Sequence, residues 1–245
     1  MNLYFDLMKQ MVISRVLKKH LVPKNEYIYG FADLTGIIDQ QFGKFRYGIS
    51  IGKKLNERIV DSIEKGPSLE YYNHYRDTNE ELSILSTNIS NDLKQEAIDT
   101  LNIDPSVSTH VLDTIYSETL RTTLSHKMVA TRAGLGWIGK TDLLVTKEFG
   151  PRLRFVTILT NIPLLSEAKP INKSRCGSCN ICVEKCPAKA ANGKLWDISV
   201  DRDIFFDPFK CREMCKEFGE KVLKMNVRVC GICVSVCPVG KKTGF

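Results

Sequence analysis

The first 175 of the 245 residues contain no cysteine; all nine lie between Cys176 and Cys237. No apolar run approaches the roughly 18–20 residues that cross a bilayer, so a membrane partner is not expected. The opening stretch, MNLYFDLMKQMVISRVLKKH, has Asp6 and Lys9 among its apolar residues. It therefore lacks the uninterrupted apolar core, and also the small-residue cleavage site, of a secretory signal, and it reads as an amphipathic helix of a cytoplasmic protein. Low-complexity tracts are absent. An odd cysteine count without a secretory signal fits a disulfide framework poorly, whereas thiols confined to one segment of a cytoplasmic chain point to metal.

What is present is ordinary globular material, 43% hydrophobic and 26% charged, long enough for one large domain or two modest ones. Residues 2–20 read as a helix. YIYGFADL and FRYGISIG read as short strands, and LNERIVDSIEK as a helix. After Gly66-Pro67, Leu82, Leu85, Ile89, Leu93, Ala97 and Leu101 recur every three or four residues, the apolar stripe of a long helix. Residues 103–110 read as a loop. Residues 117–133 look helical, with a break before Ser125, which is placed to cap HKMVATRA. DLLVT and RLRFVTILT flank KEFGP as strand, turn and strand. From about residue 166 the composition shifts to Lys, Pro, Asn and Ser, a boundary that divides the chain into residues 1–165 and 166–245.

Cys176, Cys179, Cys182 and Cys186-Pro187 form C-x2-C-x2-C-x3-C-P. In the bacterial ferredoxin run of this form the fourth cysteine serves the other cluster of a pair. Three thiolates two residues apart can wrap three corners of one cube, and the fourth is carried onward with a proline to direct the chain. That logic requires a second motif, and Cys230, Cys233 and Cys237-Pro238 supply C-x2-C-x3-C-P. Reciprocal assignment gives one [4Fe–4S] cluster Cys176, Cys179, Cys182 and Cys237. The other takes Cys186, Cys230 and Cys233, with either Cys211 or Cys215 completing it. Structural zinc favours two C-x2-C pairs about 15–20 residues apart, which this pattern does not match. The formal charge of +7 shrinks to about +3 if two ligated clusters each carry about −2, so charge alone is a weak argument for an anionic partner.

GLGWIGKT, from Gly134 to Thr141, matches both G-x-G-x-x-G and G-x4-G-K-T. A phosphate loop needs a strand before it and a helix after it. Here the order reads as helix, glycines, strand, and Gly150-Pro151 follows too soon for a helix. A structural glycine turn and a close backbone approach to some other large cofactor both remain open. Of His20, His74, His110 and His126, the last lies nearest the glycines. Glu118 and Asp113 read as ordinary acidic residues.

Taken together, HKMVATRAGLGWIGKTDLLVT, CGSCNICVEKCPAKA and CGICVSVCP resemble the epoxyqueuosine reductases and, more distantly, the reductive dehalogenases, which have GPRLR-like residues after a comparable glycine segment. The resemblance is best from about residue 126 to residue 239. It implies an α+β fold, with a nitroreductase-like domain carrying cobalamin over residues 1–165 and a ferredoxin-like double-cluster module over 166–245. It implies that Gly134, Gly136, Trp137, Gly139 and Lys140 lie at or near the corrinoid. It also implies that Cys211, which follows an Asp in the family's D-x3-C spacing, completes the second cluster, leaving Cys215 spare. Two departures accompany it. The position of the family's proton-donating Asp is Leu120 here, which leaves Glu118, Asp113 and His126 as weak catalytic candidates. The chain also ends eight residues after Cys237, without the helical-repeat tail that helps such enzymes bind tRNA, which makes tRNA a doubtful partner.

The expected function is an iron–sulfur oxidoreductase. Single electrons from a small donor such as ferredoxin or flavodoxin would pass through two [4Fe–4S] clusters to a corrinoid, for reduction of a small or nucleotide-like substrate. The alternatives are a ferredoxin-type carrier without corrinoid or catalysis, and an enzyme holding flavin in the same pocket.

Overall fold

The computed structural model describes residues 3–106, 114–166 and 168–241; Asp113 and His110 lie outside them. The chain forms two compact units, each assembled from separate segments. One contains residues 1–53, 78–135 and 154–170, and the other residues 54–77, 136–153 and 171–245. Among the described residues no helix is long and apolar enough to cross a membrane.

In the first unit, helix α1 (Leu3–His20) has no interior Gly or Pro and ends in Lys18, Lys19 and His20, cations suited to the negative end of a helix. Strands β1 (Tyr27–Asp33) and β2 (Tyr47–Lys54) pair antiparallel, with Gly30 opposite Ser50. The chain then adds β3 (Thr100–Ile103) and, much later, β6 (Leu153–Thr160). The sheet order is β1-β2-β6-β3, with β6 inside and antiparallel to β3.

Side-chain alternation gives the sheet two buried faces. On one, Ile49, Ile51, Val156 and Ile158 pack with Ile13, Val16 and Leu17 of α1 and with Leu82, Ile89 and Leu93 of α3 (Leu69–Gln95). On the other, Ala32 and Leu159 meet Val129 and Ala133, at α5 (His126–Arg132) and its end. Burial on both faces explains why β2 is buried over five consecutive residues. Gly48 lets α5 approach closely: a Cβ there would lie 2.8 Å from Val129 Cγ1.

The helical stripe expected to continue through Ala97 and Leu101 stops at Gln95. Ala97 takes a left-handed φ of 53°, Ile98 N–H bonds Leu93 O, and Ala97 N–H bonds Lys94 O. This is a Schellman stop, with Ile98 and Leu93 in its hydrophobic contact, both fully buried. Leu101 belongs to β3 instead. The break expected before Ser125 divides the helical stretch over 117–133 into α4 (Thr114–Thr119) and α5. Ser125 holds the position before α5, but its hydroxyl makes no capping bond; its carbonyl accepts from Val129 N–H.

In the second unit, α2 (Glu57–Asp61) is shorter than expected and is capped by Asn56, which accepts from Ile59 N–H. Strands β4 (Gly136–Ile138) and β5 (Leu144–Thr146) form an antiparallel hairpin. Helices α6 (Ile181–Glu184) and α8 (Ile232–Ser235) are single turns packed on each other. Between them in sequence, α7 (Pro208–Lys221) starts with proline behind Asp207, whose carboxylate accepts from the N–H groups of Phe209 and Lys210. Leu55, Val60, Ile63, Tyr71, Val229 and Val234 form the core. So little regular structure around nine cysteines suits a module held together by inorganic ligation.

Candidate metal centre

The cysteines of the second unit fall into two adjoining groups. In the first, burial and then the neighbouring thiolates of Cys237, Cys176 and Cys179 push the Cys182 thiol up to about 11. Burial also raises Cys237, with Cys176 and Cys179 adding to the effect and the Val239 N–H opposing it. The four thiols brought together are those assigned to one cluster from spacing alone. Cys179 is the exposed member.

In the second group, Cys215 lies within hydrogen-bonding reach of both Cys211 and Cys230. Their mutual contact lowers Cys211 and Cys230, Cys230 to about 7, and raises Cys215. Cys233 is raised by burial and by Cys230, Cys211 and Cys182, against a hydrogen bond from Thr141. Cys182 thus links the two groups. Cys186 stands past the end of α6, half-buried, its N–H on Val183 O. Among the described residues, no group of three or more His, Cys, Asp or Glu side chains is placed to hold a single metal ion.

The glycine segment leads into the β4–β5 hairpin, and no helix follows it, so neither phosphate-loop pattern has its required context. Its glycines meet protein atoms. A Cβ at Gly134 would lie 2.8 Å from Ala168 Cβ, one at Gly136 would overlap Val145 O, and one at Gly139 would lie 3.0 Å from Val145 Cγ2 and 3.6 Å from Cys176 Sγ. Trp137 is 6% exposed, and its Nε1–H donates to Cys176 Sγ at 3.3 Å. Lys140 is buried, with its ammonium donating to Asn180 Oδ1 at 2.7 Å, next to Cys179.

Arg152 is a buried cation at the cysteine loop that residue-type reasoning did not single out. It is 1% exposed and donates to Ser235 O at 2.7 Å, to Cys237 O at 3.1 Å and to Asp61 Oδ1 at 3.0 Å. It therefore holds the loop that delivers Cys237. Its only sequence signal was membership of GPRLR.

In the first unit, His126 has both ring nitrogens engaged, Nδ1 with Thr157 Oγ1 and Nε2 with Asp104 O, each at 2.8 Å. Nε2 must donate to a carbonyl, so Nδ1 accepts from the threonine hydroxyl. Burial lowers its pKa to about 4, against the Asp104 bond, so it is neutral at physiological pH. Glu118 is exposed on α4.

Residues 175–240 match a family described as "4Fe-4S double cluster binding domain". The chain is 38% identical over 115 residues to an epoxyqueuosine reductase of Lactococcus garvieae, covering 46% of this chain and 31% of that protein. It is 33% identical over 123 residues to the Listeria monocytogenes enzyme of the same name, 50% and 31%. The chain thus spans about a third of the length of these relatives. Among solved structures, a selenomethionine-labelled epoxyqueuosine reductase is similar with a TM-score of 0.57 at 22% identity, over all of this chain and 68% of that one. The catabolic reductive dehalogenase NpRdhA gives 0.62 at 14%, over 88% and 30%. The cysteine-rich segment therefore matches a double [4Fe–4S] cluster domain, and it sits in a mixed helix-and-sheet chain that is similar to epoxyqueuosine reductases in sequence and to both enzyme classes in fold.

Proposed function

We propose that this chain is an iron–sulfur oxidoreductase resembling epoxyqueuosine reductase, passing electrons through two [4Fe–4S] clusters to a corrinoid that supplies the two-electron reduction of a small or nucleotide-like substrate. The observation that carries the reading is the pair of adjoining thiol groups inside a matched double-cluster segment. Cys176, Cys179, Cys182 and Cys237 would hold one cluster, and Cys186, Cys211, Cys230 and Cys233 the other. Cys211 is chosen over Cys215 because it follows Asp207 at the D-x3-C spacing of the enzymes that the chain resembles.

Residues 166–245 are proposed as the ferredoxin-like module, with 54–77 and 136–153 packed into the same compact unit. Residues 1–165 are proposed as the nitroreductase-like cofactor domain, built on the four-stranded sheet. One similar solved structure is described as explaining B12-dependent dehalogenation, and another holds an epoxyqueuosine-modified tRNA stem loop. These support a corrinoid and a modified nucleotide as the cofactor and substrate classes. A small electron donor such as ferredoxin or flavodoxin, and a cytoplasmic setting, complete the proposal. Glu118 is the remaining proton-donor candidate among the described residues, because His126 is neutral and engaged at both nitrogens.

A second reading, an electron carrier without corrinoid, is favoured by one observation. Gly134, Gly136 and Gly139 are each closed by the protein's own atoms, while Trp137 and Lys140 turn to the cysteine loop. Titration of the anaerobically reconstituted chain with cob(II)alamin, followed by electron paramagnetic resonance, separates the two. A stoichiometric, altered cobalt signal supports the reductase. An unchanged signal with about eight irons bound supports the carrier.

A further inference from the structure

Trp137 presents an anomaly of satisfaction. A buried indole N–H needs an acceptor, and oxygen acceptors abound in a folded chain. This one donates to Cys176 Sγ at 3.3 Å. A neutral thiol is a weak acceptor. A thiolate on a cluster is a strong, charge-assisted one. The placement is therefore favourable with Cys176 ligated, and the surroundings hold it there. Trp137 lies in β4 opposite Val145, the missing Cβ of Gly139 leaves room beside Cys176 Sγ, and the Arg175 guanidinium stacks 5.9 Å from the indole centroid.

Resting on the cluster assignment above, we infer that Trp137 is a positioning residue that raises the reduction potential of the cluster bound by Cys176, and leaves the other cluster unchanged. When that cluster takes up one electron, negative charge grows on its sulfur ligands. A donor aimed at one of them then binds more strongly, which favours the reduced state. The stacked Arg175 charge acts in the same direction. Cys233, assigned to the other cluster, takes its hydrogen bond from Thr141 instead.

The test is an anaerobic redox titration with dithionite as the electron source, read by electron paramagnetic resonance, on the full chain and on Trp137→Phe. The phenyl ring keeps the plane and apolar bulk and removes the donor. With iron near eight per chain in both, one wave shifts to lower potential, a fall of roughly tenfold in the one-electron reduction constant, or about 59 mV, and the other stays in place. A second readout does not depend on the Phe variant folding. Indole-15N labelling marks Trp137 and Trp196, and pulsed resonance on a labelled Trp196→Phe chain detects a nitrogen coupled to one reduced cluster. Full iron with no selective shift, or no coupled nitrogen, overturns the tuning role alone. An unsubstituted chain that binds well under eight irons, or a Cys176→Ala chain that keeps both clusters, overturns the cluster assignment and the inference with it.

Discussion

His126 offers a prediction whose size follows from its surroundings. The ring is largely buried, with Nε2 donating to Asp104 O and Nδ1 accepting from Thr157, an arrangement available only to the neutral imidazole. Protonation would give Nδ1 a hydrogen that faces a hydroxyl already turned toward it, next to the Arg154 charge, and the pKa falls from 6.5 to about 4. Because the folded value is depressed, the unfolded chain takes up the proton first. The stabilisation is complete above pH 6.5 and is lost as the pH falls from there toward 4. The whole span is worth about 3 kcal/mol, of which about 1.3 kcal/mol is lost between roughly pH 7.5 and 5.5. Urea unfolding of the wild type and of His126→Gln at both pH values, with iron content checked at each, isolates the effect, since other titrating groups cancel between the two chains. The wild type should lose about 1.3 kcal/mol more than the variant over that interval. Equal losses would refute the buried neutral histidine and return His126 to the list of groups able to donate a proton near neutrality.

Three further outcomes are expected. Arg152→Met leaves the buried carbonyls of Ser235 and Cys237 without their donor and should cost about 3–5 kcal/mol, with loss of one cluster, whereas Asp61→Asn, whose carboxylate is half exposed, should cost under about 1 kcal/mol; equal costs in anaerobic unfolding would show that the ion pair dominates. Cys211→Ala should bring iron to about four per chain, while Cys215→Ala keeps it near eight, and the reverse result would exchange their roles. Gly136→Val should drive a Cβ into the Val145 carbonyl, open the β4–β5 hairpin and lower iron content; a variant with full iron would show that the hairpin does not support the cysteine loop.

The parts of this molecule that were legible in its sequence are those whose physics is local. Thiols that share a cluster arrive from short, fixed spacings, so seven of the nine cysteines sort themselves by counting, which leaves Cys211 and Cys215 interchangeable, and the first group then appears in space as counted. Strands β1, β2 and β6 announce themselves by β-branched and aromatic residues, and α1 by its apolar stripe. Local signals fail where long-range contact decides. The stripe of α3 runs past Gln95 in sequence, yet Ile98 buries beside Leu93 and the backbone turns left-handed at Ala97 to let it. DLLVT and RLRFVTILT lie close in the chain but serve different sheets, β5 with β4 and β6 between β2 and β3.

The glycine segment shows the same limit at the site itself. Three glycines within six residues announce a close approach to the backbone, and nothing in their spacing says by what. In the structure the approaching atoms are the protein's own: Ala168 at Gly134, Val145 at Gly136 and Gly139, with Cys176 beyond. A phosphate loop uses its glycines to expose N–H groups at a helix N-terminus. This segment uses them to bring one strand so near the cysteine loop that an indole N–H reaches the Cys176 sulfur and a lysine is buried on Asn180. The residues that made the motif look like a nucleotide site, Gly139, Lys140 and Thr141, therefore have a different employment. Gly139 admits Cys176, Lys140 braces the residue after Cys179, and Thr141 donates to Cys233. One short hairpin thus touches both thiol groups, with sulfur as its neighbour where a phosphate loop would hold phosphate.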